Sequence, residues 1–210
     1  MKYFNELPLV INSDGKGNYY PLRNLLIRTK LIPELAKNPL LFYQYSIQES
    51  DTPETIAYKY YGDSYRYWMV LMANEIMNPQ WEWPLTSKQF NKQLINKYSA
   101  IAGGDNLVLS YLTGTVHHYE RSITTVDSNT GTTAIKTVEV DQETYQLIVP
   151  SSTTSTLPDG STVTYTVGGN AVSIYDYEND LNESKRTIKL INAKYVSQME
   201  EVYSNLVKKA

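Results

Sequence analysis

The segment from Tyr45 to Asn74 constrains this 210-residue chain more tightly than any other, because its local signals specify a strand, a short helix and a second helix in succession. Leu41, Tyr43, Tyr45 and Ile47 alternate with Leu40, Phe42, Gln44 and Ser46, the two-residue period of an extended strand. Thr52 offers a hydroxyl to a free backbone N–H at a helix start, and Pro53 suits the first helical position because no donor is needed there. Ile56, Ala57 and Tyr60 share one side of the ensuing helix, and Gly62 can end it in a left-handed conformation. Asp63 or Ser64 then caps a second helix, on which Tyr67, Trp68, Leu71 and Met72 recur at helical spacing. Trp68 falls on that apolar stripe. Burying about 200 Å² at about 25 cal/mol per Å² is worth about 5 kcal/mol at most, so Trp68 reads as core.

Composition narrows the class of protein. At 41% hydrophobic and 20% charged residues the chain is globular rather than disordered. A net charge of −3 argues against nucleic acid as a partner, since neutralising phosphates needs a basic face. No apolar run is long enough for a membrane span, and the first residues lack the apolar stretch of a secretion signal. Zero cysteines exclude disulfides and thiolate metal sites. Tyrosine is the outlier, 19 residues against 3 Phe, and a side chain with a large flat face and a polar tip suits contact surfaces.

Around the central segment the chain changes character four times. Residues 1–39 read as an N-terminal arm and helix: Asp14–Asn18 is a turn, Pro21 opens a helix carrying Leu22, Leu25 and Leu26, and Pro33 and Pro39 interrupt the chain beyond it. This arm either packs on its own domain or reaches a neighbour. Residues 40–105 hold the strand–helix–helix unit and one further helix, started by Thr86 with Gln89 in a capping box, carrying Phe90, Leu94, Tyr98 and Ile101 on one face and stopped by Gly103-Gly104. Residues 106–180 form a β region, beginning with a strand at Leu107–Leu112. Its Ser/Thr-rich part is a meander or set of hairpins with turns at Ser128–Gly131, Leu157–Gly160 and Gly168–Asn170, in which Ser151–Thr156 could instead be a loop. Residues 181–210 give a strand at Lys185–Ile191, a cap at Asn192 and an amphipathic helix with Val196, Met199, Val202, Tyr203 and Leu206. The expected class is α+β.

No catalytic constellation emerges. His117 and His118 are adjacent in an expected strand, where neighbours face opposite ways, so they form no joint site. The carboxylates Asp176, Glu178, Asp180 and Glu183 do not follow a calcium-loop spacing, and the nearby Lys185-Arg186 can pair with them. Neither a nucleophile elbow nor a glycine-rich phosphate loop is present, so no cofactor, metal or small-molecule substrate is expected and the chain reads as a non-enzyme.

Tyr45, Ile47, Asp51-Thr52, Ile56-Ala57, Tyr60, Leu71 and Asn74 together resemble the LysM pattern, with Ser50 where that pattern has Gly. The resemblance implies a small LysM-like βαα(β) unit with flanking helices, a β-hairpin or meander insertion and a C-terminal strand–helix. Its structural core would comprise Tyr45, Ile47, Thr52, Ile56, Ala57, Tyr60, Trp68, Leu71 and Asn74. Further blocks are similar to the LysM-containing baseplate wedge protein of T-even-like contractile-tail phages: Tyr61-Gly62, Tyr67-Trp68, Trp83 with Thr86, Lys97-Tyr98, Gly103-Gly104-Asp105, His118-Tyr119-Glu120 and the run from Tyr175 to Ile191. That likeness covers residues 40–120 and 174–207. It implies a structural virion protein of the tail baseplate, assembled in the host cytoplasm, present as six copies, and linking wedge proteins to each other and toward the hub. Tyr61, Tyr65, Trp81 and Trp83 are then the candidate interface. A second reading from the same unit is a peptidoglycan- or chitin-binding module, in which such aromatics would stack on sugar rings.

Overall fold

A computed structural model describes residues 3–27, 29–31 and 36–208; Pro33, expected to interrupt the chain beyond the N-terminal helix, lies outside the described residues. The fold is α+β. In chain order the strands are β1 (Leu9–Ser13), β2 (Tyr19–Arg23), β3 (Phe42–Ser46), β4 (Val116–Asp127), β5 (Thr133–Val140), β6 (Ser151–Thr156), β7 (Thr162–Ser173) and β8 (Thr187–Ile191). The α-helices that lie wholly within the described residues are α1 (Pro53–Tyr61), α2 (Tyr67–Ala73), α3 (Pro79–Glu82), α4 (Ser87–Ala102), α5 (Val108–Gly114), α6 (Gln142–Gln146), α7 (Ile174–Glu183) and α8 (Val196–Lys208). Two compact units result: one from residues 1–89 and 182–210, the other from residues 90–181. The chain passes between them within α4 and at the end of α7.

The first unit is built on β3, α1, α2 and β8. Thr52 caps α1 by accepting from the Thr55 N–H while the Thr55 side chain accepts from the Thr52 N–H, and Pro53 occupies the first turn. Gly62 ends the helix at φ 71°, a left-handed position that glycine adopts without cost. The strand β3 finds its partner far along the chain: it pairs antiparallel with β8, Phe42 opposite Ile191 and Ser46 opposite Thr187. The core between these strands and the helices holds Ile47, Ile56, Ala57, Trp68, Met69, Val70, Ile188, Leu190 and Ile191. Val196, Tyr203 and Val207 of α8 join it, so the terminal helix buries its stripe here, whereas Val202 and Leu206 stay exposed.

Tyr3, Trp68 and Tyr203 tie three distant segments together. The rings of Tyr3 and Tyr203 stack at 4.8 Å, Trp68 lies 4.8 Å from Tyr203, and the Tyr203 hydroxyl donates to the Tyr3 carbonyl. Trp68 is 4% exposed.

The N-terminal helix expected from Pro21 is instead β2, hairpin partner of β1. Proline fixes φ near −65°, which serves a helix start and an edge strand equally well, and the Asp14–Asn18 turn brings the two runs together.

The helix α4 begins at the end of the first unit as expected, with Thr86 and Gln89 bonding each other's backbone N–H, and its run in the second unit buries Phe90 and Leu94. Gly103 and Gly104 end it at positive φ. The strand expected at Leu107–Leu112 is a 3₁₀ turn followed by α5, because the apolar residues that find cover, Val108 and Leu112, are four apart and share a helix face. The Ser/Thr-rich region forms one antiparallel sheet in the order β5-β4-β7-β6, and Ser151–Thr156 is its outer strand. Turns fall at Gly131 and Gly160, both at positive φ.

Gly168-Gly169, expected as a turn, lies inside β7 opposite Ser122 and Arg121. The glycine is there for space. The Tyr145 ring, stacked on Tyr119 at 4.6 Å, lies so close that a Cβ at Gly169 would sit 2.9 Å from it.

Candidate interaction surface

The polar groups of the strand–helix–helix unit are spent on holding it together. Asp51 is buried, and its carboxylate accepts from the Tyr45 hydroxyl at 2.7 Å, the Gln48 N–H at 3.0 Å and the Lys59 ammonium at 2.6 Å. Burial pushes the Asp51 carboxyl up, but the bonds from Lys59, Tyr45 and Gln48 outweigh it and hold it below the usual carboxylate range. The Tyr45 phenol, donating to that carboxylate, is pushed up to about 12. Trp83 is half-buried and its indole N–H donates to the Asp51 carbonyl at 3.0 Å. Tyr61 is 7% exposed and belongs to the core, so neither it nor the anchored face of Trp83 is offered to a partner.

Two asparagines act as clamps. The Asn74 side chain accepts from the Lys189 N–H at 2.7 Å and donates to the Lys189 carbonyl at 2.8 Å. Asn182, buried, does the same to Leu85, accepting at 2.7 Å and donating at 3.2 Å. Beside it Arg186 pairs with Glu183 at 2.7 Å and reaches Glu49, whose other oxygen accepts from the Ser87 N–H at the start of α4. These contacts fasten the two points at which the chain leaves the first unit and returns to it. A carboxamide has one donor and one acceptor side, so it can stand in for a neighbouring strand, but nothing in a lone sequence marks which asparagine will do so.

What faces outward is aromatic. Trp81 is 71% exposed, Tyr58 66% and Tyr65 52%. The short helix α3 that carries Trp81 is pinned from three sides. Asn78 caps it by accepting from the Gln80 N–H, Glu82 accepts from the Met77 N–H at 2.7 Å, and Lys185 donates to the Trp81 carbonyl at 2.9 Å. A backbone held this firmly presents a large ring to solvent with little freedom left to lose on binding.

In the second unit the two histidines are brought together, contrary to the alternation expected of a strand. The register of β4 against β7 slips between Val116 and His118, a bulge that leaves His117 without a partner and turns both rings one way. Their Nδ1 atoms lie 2.9 Å apart, so one carries the proton and the other accepts it. His117 stacks on Tyr177 at 3.8 Å, and His118 Nε2 lies 3.3 Å from Glu120. Nearby in the same unit Glu178 accepts from Lys97 and Tyr98. Burial pushes the Glu178 carboxyl up, and those two partners more than offset it. Among the described residues no group of three His, Asp or Glu side chains is arranged to hold a metal ion.

The sequence matches the family model for base plate wedge protein 53 over residues 32–208. The chain belongs to that family. It is therefore a bacteriophage baseplate wedge protein, a structural component of the virion tail that works against other baseplate proteins. No curated protein matches the sequence. Among the described residues no helix is long and apolar enough to cross a membrane.

Proposed function

We propose that this wedge protein is an adaptor: one copy per wedge, six per baseplate, clipping neighbouring wedge proteins to one another and toward the hub, and joining them in the host cytoplasm during assembly. The observation that carries the reading is Trp81, a ring 71% exposed on a helix of four residues whose backbone is fixed by hydrogen bonds from both sides. Exposed tryptophan on a rigid support is the kind of group that dominates the energy of protein contacts. Tyr65, 52% exposed, and Trp83 are the other candidate contacts in this reading.

The β3–α1–α2–β8 unit serves in this reading as a LysM-like clip for protein. Its Tyr45, Asp51 and Asn74 polar groups are already bonded internally, which favours a structural use over sugar recognition.

Co-expression with the other wedge proteins of the same phage tests the proposal. A stoichiometric complex on size exclusion is expected. Separate elution at micromolar concentration, or pelleting with purified peptidoglycan, contradicts it.

A further inference from the structure

Strict alternation along a strand would hold the imidazoles of His117 and His118 on opposite faces of β4, with nothing to share. The bulge between Val116 and His118 removes that premise. It brings the two Nδ1 atoms to 2.9 Å, and re-aiming a side chain is a common use of a bulge. Glu120 fixes the tautomers. Its carboxylate can only accept, and it lies 3.3 Å from His118 Nε2, so the proton of His118 sits on Nε2. His118 Nδ1 therefore carries a lone pair and accepts from His117 Nδ1–H. Tyr177 holds both rings in place. It stacks on His117 at 3.8 Å with the planes 9° from parallel, and meets His118 edge-on at 6.0 Å.

The separation of the two nitrogens carries chemical information. Metal–imidazole bonds are about 2.0–2.1 Å long, so two of them at a right angle place their nitrogens about 2.9 Å apart, whereas a tetrahedral pair needs about 3.4 Å. The spacing found here is that of neighbouring positions in a square-planar or octahedral complex, the geometries of Cu²⁺ and Ni²⁺. A ligating histidine characteristically gives its other ring N–H to a carboxylate, which is the place Glu120 occupies. The surrounding charge suits a cation. Glu120 is acidic, and Glu178, the sequence neighbour of Tyr177, is paired with Lys97. His117 is exposed, so an ion reaches the pair from solvent.

We propose that the Nδ1 atoms of His117 and His118 form a two-nitrogen site for a divalent cation of the Cu²⁺ and Ni²⁺ class, bound at adjacent coordination positions. Loading is a ligand exchange that needs no co-reactant. Two waters leave the aqua ion, the two nitrogen lone pairs replace them, and the His117 proton moves from Nδ1 to Nε2. Water keeps the remaining positions, so the ion is exchangeable. The site lies wholly within the second unit and stands apart from the adaptor reading.

The full-length parent, His117→Gln and His118→Gln are titrated with Cu²⁺, Ni²⁺ and Zn²⁺ by calorimetry, and the copper-loaded chains are read by electron paramagnetic resonance. The parent is expected to take one Cu²⁺ per chain, about tenfold or more tighter than Zn²⁺, with coupling to two imidazole nitrogens. Each variant should bind Cu²⁺ about tenfold or more weakly and lose one coupled nitrogen, while melting as the parent does. If His118→Gln melts lower, His117→Gln decides, because its ring is exposed. A parent that binds no Cu²⁺, copper affinity and coupling unchanged in His117→Gln, or Zn²⁺ held more tightly than Cu²⁺ overturns the proposal.

Discussion

Asn74 closes the free edge of β8 by pairing its carboxamide with both backbone groups of Lys189. The register explains why the contact lies there. The Ile47 N–H donates to the Arg186 carbonyl and the Asn192 N–H to the Leu41 carbonyl, so the bonded pairs of this two-stranded sheet exclude Lys189, whose N–H and carbonyl face outward. Asn74 also donates to the Val70 carbonyl, which anchors it to the end of α2. Asn74→Ala removes both bonds and leaves the Lys189 groups to water, and the expected loss is about 1–2 kcal/mol in denaturant unfolding. Asn74→Asp should fare no better, since a carboxylate would face two carbonyls.

The residue after that asparagine is strained. Glu75 has φ 56°, the one positive φ among the described non-glycine residues, and occupies the left-handed position that ends α2, with the Ile76 N–H bonded to the Leu71 carbonyl. Its ion pair with Lys30 at 3.0 Å is exposed on both sides and adds little. Glu75→Gly is expected to raise stability by about 1 kcal/mol, read as a thermal midpoint about 2–4 °C higher. A lower midpoint would show that the Lys30 pair matters more than the backbone.

The aromatic stack is the keystone of the first unit. Trp68→Ala removes a ring that touches both Tyr3 and Tyr203, and a loss of about 3–5 kcal/mol is expected. Tyr203→Ala should cost a comparable amount. The double variant should lose less than the sum of the two, because each single change already breaks their shared contact. An unchanged melt for Trp68→Ala would refute this account of the core.

Asp51 gives the unit a defined acid response. Its pKa in the folded chain is lowered, so its contribution to stability is fully present above the ordinary aspartate range and is lost as pH falls below about 4. Asp51→Asn should therefore be less stable than the parent at pH 7, and the gap should narrow toward pH 3. A constant gap across that range, measured by urea unfolding at each pH, would contradict the assignment of Asp51 as a charged anchor.

Signals that act within one turn were legible in the sequence. The Thr52–Pro53 start, the Gly62 stop and the Thr86–Gln89 box each depend on residues three or four apart, and each took the form their chemistry requires. The burial of Trp68 was implied by its place on the α2 stripe. The choices made by distant partners were not legible. Nothing near Tyr45 reveals that its strand pairs with Ile188, or that Asn182 will clamp Leu85. Pro21 and the run from Leu107 to Leu112 fit two local structures equally well, and the surrounding contacts decided between them. The His117–His118 pair depended on a single-residue bulge, which no alternation rule anticipates.

The ring of Trp81 tests the adaptor reading most directly. Trp81→Ala changes an exposed side chain and should leave the thermal midpoint of the isolated chain within about 1–2 °C of the parent. Titrated against the co-expressed remainder of the wedge, it should bind about 30-fold more weakly or worse, the loss of about 2 kcal/mol expected when a central contact residue is truncated. Binding equal to the parent's, from a variant that melts as the parent does, would contradict the claim that this surface joins the wedge together.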